Sequence, residues 1–284
     1  MAIIVNTNLS SLKTRTNLNN ATNSLNTALE RMSTGLKINS AKDDSAGLYV
    51  ATNLTKQING SKIAQANIAT GSNVLSTVEG DLDVILDNLN RIRDLAIQAA
   101  NGVYDSNSRT AMSDEVIARI AEIDRVAKAS NFNGLKLLSG DAQLAGGLRL
   151  QVGANSDPTA NSIIVSGDIF KATTGNSLGL TEAPATAFAT GTAAAQYLTQ
   201  VDRAITTVTK NKTTIGVVQN RLDAASSSLT TTIENATAAK STIVDADIAE
   251  ESAEYTKQQI LRQTSASLLV QANALPSLAL TLIQ

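Results

Sequence analysis

The sequence contains neither cysteine nor histidine. Disulfides, thiolate nucleophiles, histidine-based metal sites and histidine general bases are excluded together. Tryptophan is also missing, and aromatic residues make up only 2% of the chain, so the apolar fraction rests on Ala, Leu, Ile and Val. Such side chains suit thin seams between helices better than a thick globular core. Proline is scarce, occurring only as Pro158, Pro184 and Pro276. Residues 1–157 and 185–275 have none, which leaves room for long helices. No excess of charge exists either, with 23 Lys and Arg against 25 Asp and Glu. Nothing here supplies the clustered basic face that nucleic acid requires. The long uncharged run 263–284 includes Gln263, Thr264, Ser265, Gln271, Asn273 and Pro276, too polar for a bilayer span. The opening "MAIIVNTNLS" lacks the basic and apolar regions of a secretory signal. Acidic pairs such as Asp43/Asp44 and Glu250/Glu251 do not suggest catalysis, because adjacent helical residues point apart. We therefore expect no nucleic acid, membrane, cofactor or catalytic site.

What is present is periodicity. From Leu198 a stripe runs through Val201, Ile205, Val208, Lys212, Ile215, Gln219, Leu222, Ser226, Leu229, Ile233, Ala236 and Lys240 to Ile243. Its steps alternate three and four, a heptad seam that is imperfect at its polar members but unbroken. Such a helix is roughly 70 Å long, whereas a compact ball of this chain length is roughly 50 Å across. The expectation is a rod. Val78, Leu82, Ile85, Leu89, Ile92, Ala96 and Ala99 repeat in the same way, and Leu54, Ile58 and Ile68 carry that helix upstream. Val116, Ile120, Ile123 and Ala127 mark a third helix beyond the turn-forming "NGVYDSNSR". Between the halves, "LRLQVGAN" and "SIIVSGDIF" read as a small β-hairpin, followed by an irregular lobe rich in Gly, Thr and Ala. The expected fold is mainly α: an elongated antiparallel helical rod whose terminal helices pair, with a small central β-hairpin region. We divide it into terminal segments 1–40 and 244–284, rod halves 41–138 and 192–243, and a β-hairpin lobe 139–191.

Both ends are unusual. The first twelve residues carry no charged side chain, and none follows Arg262. Leu25, Leu29, Met32 and Leu36 form one apolar stripe, and Leu261, Ser265, Leu268, Ala272, Leu275, Ala279 and Leu282 another. The two terminal helices could simply pair with each other. That pairing would still leave much uncharged surface in water, so we expect neighbouring copies to bury it and the ends to lack a stable fold in the lone monomer. The candidate polymerisation residues are Ile4, Val5, Leu9, Leu12, Leu25, Leu29 and Met32, with Leu261, Leu268, Leu275 and Leu282. Residues 1–40 are mainly basic and 241–284 mainly acidic, which favours mutual attraction.

"LERMSTGLKINSAKDDSAGL" interrupts the first helical region with a polar segment. Gly35 can end one helix. Ser40 with Asp43 three residues on resembles a capping box that starts the next, with Asp43 and Asp44 in its first turn. Gly35, Asn39, Ser40, Asp43 and Asp44 thus read either as a joint between an assembly segment and a rod or as an ordinary interhelical loop.

The same residues carry a resemblance. "NTNLSSL", "ALERMSTGLKINSAKDDSAGL", "EGDLDVILDNLNRIRDLAIQAANG", "EIDRVAKASNFNGLKLL", "LRLQVGAN", "IGVVQNRLD" and "IVDADIAEESAEYTKQQILRQTSASLLVQANALPSLALTLI" together resemble bacterial flagellin. They cover most of both halves in the family's order, with only a short middle. The resemblance implies a structural subunit that polymerises through paired terminal helices into the extracellular flagellar filament for swimming motility. It implies export without a cleaved signal through the flagellar type III channel. Implied partners are other copies of the chain, an export chaperone on the C-terminal segment, and the hook-associated junction and cap proteins. It further implies recognition by Toll-like receptor 5 at positions matched here by Arg91, Leu95 and Glu115, although "NRIRDLAIQ" departs from the common pattern at Asn90 and Asp94. These residues have a second reading as filament-packing surface.

The alternatives are a hook–filament junction protein and a secreted coiled-coil adhesin or effector. A metalloprotease insertion, found in some flagellins, needs an H-E-x-x-H zinc site, which a chain without histidine lacks.

Overall fold

A computed structural model describes residues 7–180 and 184–281, with side chains described through Ala274. Its elements are α1 (Leu9–Thr34), α2 (Ser45–Ala100), α3 (Ser106–Ala129), β1 (Asn131–Phe132), β2 (Leu135–Lys136), β3 (Leu148–Gln151), β4 (Ser162–Val165), α4 (Pro184–Ala187), α5 (Gly191–Val244) and α6 (Ile248–Thr281). The fold is mainly α with small antiparallel strand pairs, as the periodicities predict. Two compact units partition the chain: Met1–Gln57 with Glu234–Gln284, and Ile58–Ile233.

The second unit holds the main core. On α2, Val78, Leu82, Ile85, Leu89, Ile92, Ala96 and Ala99 are all fully buried, and on α5 Val201, Val208, Ile215 and Leu222 meet them. The alternation of three and four residues keeps one apolar face of each helix against its neighbour. Polar members of the α5 seam have partners on α2. Lys212 Nζ pairs with Asp83, and Gln219 Nε2 donates to Glu79 Oε2 at 3.1 Å. Further along, Arg93 Nε donates to Asp202 at 2.7 Å and Gln65 Nε2 to Thr230 Oγ1 at 3.1 Å. Partner numbers rise along α2 as they fall along α5, so the helices run antiparallel. α3 adds Val116 and Ile123, and Phe188 meets Tyr197 edge to face at 5.8 Å.

Two hairpins sit beside these helices. β3 and β4 pair antiparallel, Leu148 opposite Val165 and Gln151 opposite Ser162. Leu150 of β3 packs onto α2 at Gly71, where a Cβ would stand 2.5 Å from the Leu150 Cδ1 methyl. The β1–β2 hairpin turns on Asn133 and Gly134, with φ of 49° and 84°. Positive φ at both residues marks a type I′ turn, and Asn-Gly is its favoured sequence.

Candidate assembly surface and connectors

In the first unit α1 lies along α6. Asn8 Nδ2 donates to the Ala272 carbonyl at 2.6 Å, and Ser11 Oγ to Asn273 Oδ1 at 2.7 Å. At the other end Arg31 Nη1 pairs with Glu251 Oε1 at 3.0 Å. The pair is therefore antiparallel. α1 starts where the Asn8 side chain accepts from the Ser11 N–H, and it ends at Gly35, whose φ of 72° favours glycine. Its inner face carries Leu18, Ala21, Leu25 and Ala28; α6 turns Ser265, Leu269 and Ala272 inward.

The structure revises which apolar residues fill the seam. Leu25 is buried and Met32 and Leu36 are half-buried, but Leu29 is 51% exposed. Of the α6 stripe, Ser265 and Ala272 face inward, while Leu261 and Leu268 remain 44% and 49% exposed. On a helix with 3.6 residues per turn, a seven-residue spacing drifts around the axis. Leu261 and Leu268 thus flank the seam instead of filling it. Leu9 and Leu12 are exposed as well. Ile4, Val5 and Leu282 lie outside the described residues, and Leu275 belongs to α6 without a described side chain.

α6 shows a further feature. Besides its inward Leu269 and Ala272 and its flanking Leu261 and Leu268, it exposes Ile260 and Val270 on other sides. No charged residue follows Arg262. Apolar side chains exposed on more than one side of a helix mark surface that a further partner can cover. A single antiparallel partner leaves most of that surface in water.

The two connectors meet. Leu36 and Asp245 form an antiparallel bridge, with the Lys37 N–H donating to the Val244 carbonyl at 2.6 Å and the Ala246 N–H to the Gly35 carbonyl at 2.9 Å. Sequence periodicity carries no signal for this contact, because its residues are far apart in the chain and its bonds are made by backbone. Both following helices begin on an aspartate. Asp44 Oδ1 accepts from the Ala46 and Gly47 N–H groups at 3.0 and 2.9 Å, and Asp247 Oδ1 accepts from Ala249 at 2.8 Å. Asp44, not Ser40, is therefore the N-cap of α2, and Asp43 lies before the helix rather than in its first turn. The expected Ser40–Asp43 link does exist as the closing half of a turn. Asp43 Oδ2 accepts from the Ser40 N–H at 2.9 Å, the Asn39 N–H at 3.1 Å and the Ser40 hydroxyl at 3.1 Å. Asn39 Nδ2 in turn donates to the Leu36 carbonyl at 3.3 Å.

The Ser40 N–H first, and then that of Asn39, hold the Asp43 carboxyl below the usual aspartate pKa. A folded-state pKa below the unfolded value near ~3.9 gives stability that is present above that pH. It is lost as pH falls through the depressed folded value. We expect the Asn39–Asp43 turn to open in acid, seen as faster amide exchange at Asn39 and Ser40 below about pH 4. Asp43→Asn should remove most of that pH dependence; an unchanged exchange profile in the variant would refute the assignment.

The Arg31–Glu251 pair closes the seam beside these connectors and is only partly exposed on the Glu251 side. Glu251→Gln should therefore weaken the α1–α6 seam by about 1–2 kcal/mol, as for a charge-assisted bond shielded from water. Proteolysis rates in α1 would report it, and a rate unchanged at low salt would count against the pair.

On the second unit, Arg91 and Glu115 form a two-pronged ion pair at 2.7 and 3.0 Å, and Arg119 lies 3.6 Å from Glu115. The Arg91 guanidinium holds the Glu115 carboxyl below its ordinary pKa. Leu95 does not join them at the surface, being only 3% exposed. The sequence grouped the three, and the structure brings two together on an exposed face with the third beneath. Among the described residues no cluster of His, Cys, Asp or Glu could hold a metal, and no helix is long and apolar enough to cross a membrane.

A family model described as the bacterial flagellin N-terminal helical region matches residues 5–143, and one described as the bacterial flagellin C-terminal helical region matches 198–283. The Flagellar filament 30.7 kDa core protein of Treponema maltophilum is 36% identical over 280 residues, covering 95% of this chain and 96% of that protein. The chain belongs to the bacterial flagellin family. Phase 1 flagellin of Salmonella naestved is 45% identical over 159 residues, which span 56% of this flagellin chain but only 31% of that one. A solved structure described as a flagellar hook-associated protein of Vibrio parahaemolyticus is 18% identical, with a TM-score of 0.54 over 71% of this chain and 99% of that chain. That likeness concerns the fold alone. It leaves the choice between filament subunit and junction protein to sequence, where the near full-length match is to a filament core protein.

Proposed function

We infer that this flagellin is a structural subunit of the bacterial flagellar filament, and we propose that it polymerises through α1 and α6. One observation carries the polymerisation surface: outside its seam with α1, α6 leaves Ile260, Leu261, Leu268 and Val270 exposed. Leu9, Leu12, Leu29, Leu261 and Leu268 supply exposed apolar area at that pair, and contiguous exposed apolar surface marks an interaction site. Copies of the same chain are the partners that fit, because the surface would be repeated in every subunit and no charged side chain follows Arg262 on α6.

The decisive assay is seeded assembly. Heat-dissociated full-length chain, offered short seeds or salt, should form helical tubes by negative-stain microscopy, and a chain lacking residues 263–284 should not. Soluble particles from both, even with seeds, would reject the filament subunit and favour the junction protein. Tubes from both would move the polymerisation surface away from α6.

Finer readings follow from family membership. We propose that the connectors around Gly35, Asn39, Ser40, Asp43 and Asp44 set the geometry between the terminal segments and the rest of the chain. Passage through the flagellar export channel fits an uncharged C-terminal segment that an export chaperone would cover beforehand. Junction and cap proteins would contact the two ends of the filament. Toll-like receptor 5 would meet Arg91 and Glu115 at the surface, whereas Leu95 would take part only after a local rearrangement. Filament packing is the better-supported role for the Arg91–Glu115 face, since it needs no such step.

A further inference from the structure

Asn-Gly occurs three times in the chain, at Asn59–Gly60, Asn101–Gly102 and Asn133–Gly134. An asparagine before glycine is well placed to react with the next main-chain nitrogen, because glycine puts no Cβ beside that nitrogen. The three lie in different surroundings. Gly60 is inside α2, where its N–H is committed to the helix carbonyl four residues back. Asn133 is held at φ 49° in the β1–β2 turn, and the paired strands on both sides keep it from rotating. Asn101 follows the last residue of α2 and opens the exposed link to α3.

That link favours the reaction. The Val103 N–H donates to Asn101 Oδ1 at 3.2 Å, which folds the side-chain amide back over the Gly102 peptide. The Gly102 N–H itself makes no hydrogen bond among the described residues. No atom lies within 4 Å of where a Gly102 Cβ would stand, and Val103 is 85% exposed, so water and base reach the site. Attack of the Gly102 nitrogen on Asn101 Cγ puts negative charge on Oδ1, the atom that the Val103 N–H already faces. A donor in place at a developing oxyanion lowers the barrier. Asn101 alone of the three has such a donor among the described residues.

We propose that Asn101 is a site of spontaneous deamidation, selected from the three by the turn that follows α2. Hydroxide takes the Gly102 amide proton, the nitrogen bonds to Asn101 Cγ, and the Cγ–Nδ2 bond breaks to release ammonia, with a proton supplied by water. Water then opens the cyclic imide. Cleavage at the side-chain carbonyl leaves aspartate, and cleavage at the main-chain carbonyl leaves isoaspartate; nothing is oxidised or reduced. Either product sets a carboxylate at the C-terminal end of α2, the unfavourable end for negative charge. Isoaspartate also lengthens the main chain, which breaks the turn bond from the Tyr104 N–H to the Asn101 carbonyl, 3.4 Å long here. The chain thus gains a charge and loses this turn as it ages, by a route that involves neither α1 nor α6.

The test incubates the full-length chain at mildly alkaline pH. Peptide mapping by mass spectrometry, with electron-transfer fragmentation, tells aspartate from isoaspartate at each position. Asn101 should convert at least about tenfold faster than Asn133, with Asn59 unchanged over the same interval. In chain unfolded by guanidinium the three rates should converge to within about threefold, and folded Asn101 should match or exceed its own unfolded rate to that precision. Gly102→Ala meets open space and no left-handed φ. It should slow Asn101 at least about tenfold without shifting the melting temperature. Equal rates at Asn101 and Asn133 in the folded chain, an Asn101 slowed more than about threefold by folding, or a parent rate in Gly102→Ala would each overturn the proposal.

Discussion

Serine at both Leu261 and Leu268 should stop filament growth at concentrations where the parent chain polymerises, without disturbing the second unit. Both side chains are about half exposed in the single chain, so their removal costs the monomer little; such surface changes fall within about ±0.5 kcal/mol. Between copies their exposed half would be buried, contributing about 0.7–1.5 kcal/mol per leucine. Losing two would raise the critical concentration by roughly one to two orders of magnitude. Sedimentation of seeded reactions across a concentration series measures it directly. Leu25→Ser provides the contrast, since Leu25 lies inside the α1–α6 seam and its loss should loosen that pair as well. A critical concentration within threefold of the parent for the double variant would remove these leucines from the interface.

The second large effect is on stability. Leu82 is fully buried on α2, among Ile85, Leu89 and the facing α5 side chains. Leu82→Ala should cost about 2–5 kcal/mol, because the lost transfer energy is joined by a cavity that long packed helices cannot close. For a unit of this size each kcal/mol corresponds to about 2–4 °C, so the melting transition should fall by roughly 4–20 °C. Val84, two residues along and on the outer side of the helix, is 44% exposed. Val84→Ala should leave the transition within about 2 °C. Paired thermal melts by circular dichroism decide it. Equal shifts for both variants would mean that the buried seam is not what holds the unit together.

Much of the helical architecture was readable residue by residue. The stripe from Val78 to Ala99 is the buried face of α2, and the α5 heptads carry the matching one, since a helix exposes its period directly in sequence. The β3–β4 pair was legible in clustered β-formers. Asn133–Gly134 held an equally good hairpin signal, but strands of two residues leave no alternation around it. At the terminal helices the reading was coarser. Heptad spacing placed Ser265 and Ala272 in the seam, where they lie, but also Leu261 and Leu268, which flank it, and it passed over Leu269, which faces inward. Spacing gives the period of a stripe, and the neighbouring helix decides which edge of the stripe it covers.

By itself the sequence determined a mainly helical chain with uncharged amphipathic ends, no thiol or imidazole chemistry, and the motifs of a flagellin. Those properties are local: composition, period and short motifs survive in one dimension. The tertiary structure alone decided that the two connectors hydrogen-bond to each other, that Asp44 rather than Ser40 caps α2, and that Leu95 lies beneath Arg91 and Glu115. Each depends on backbone groups or side chains distant in the chain, and only folding brings them within hydrogen-bonding or packing distance.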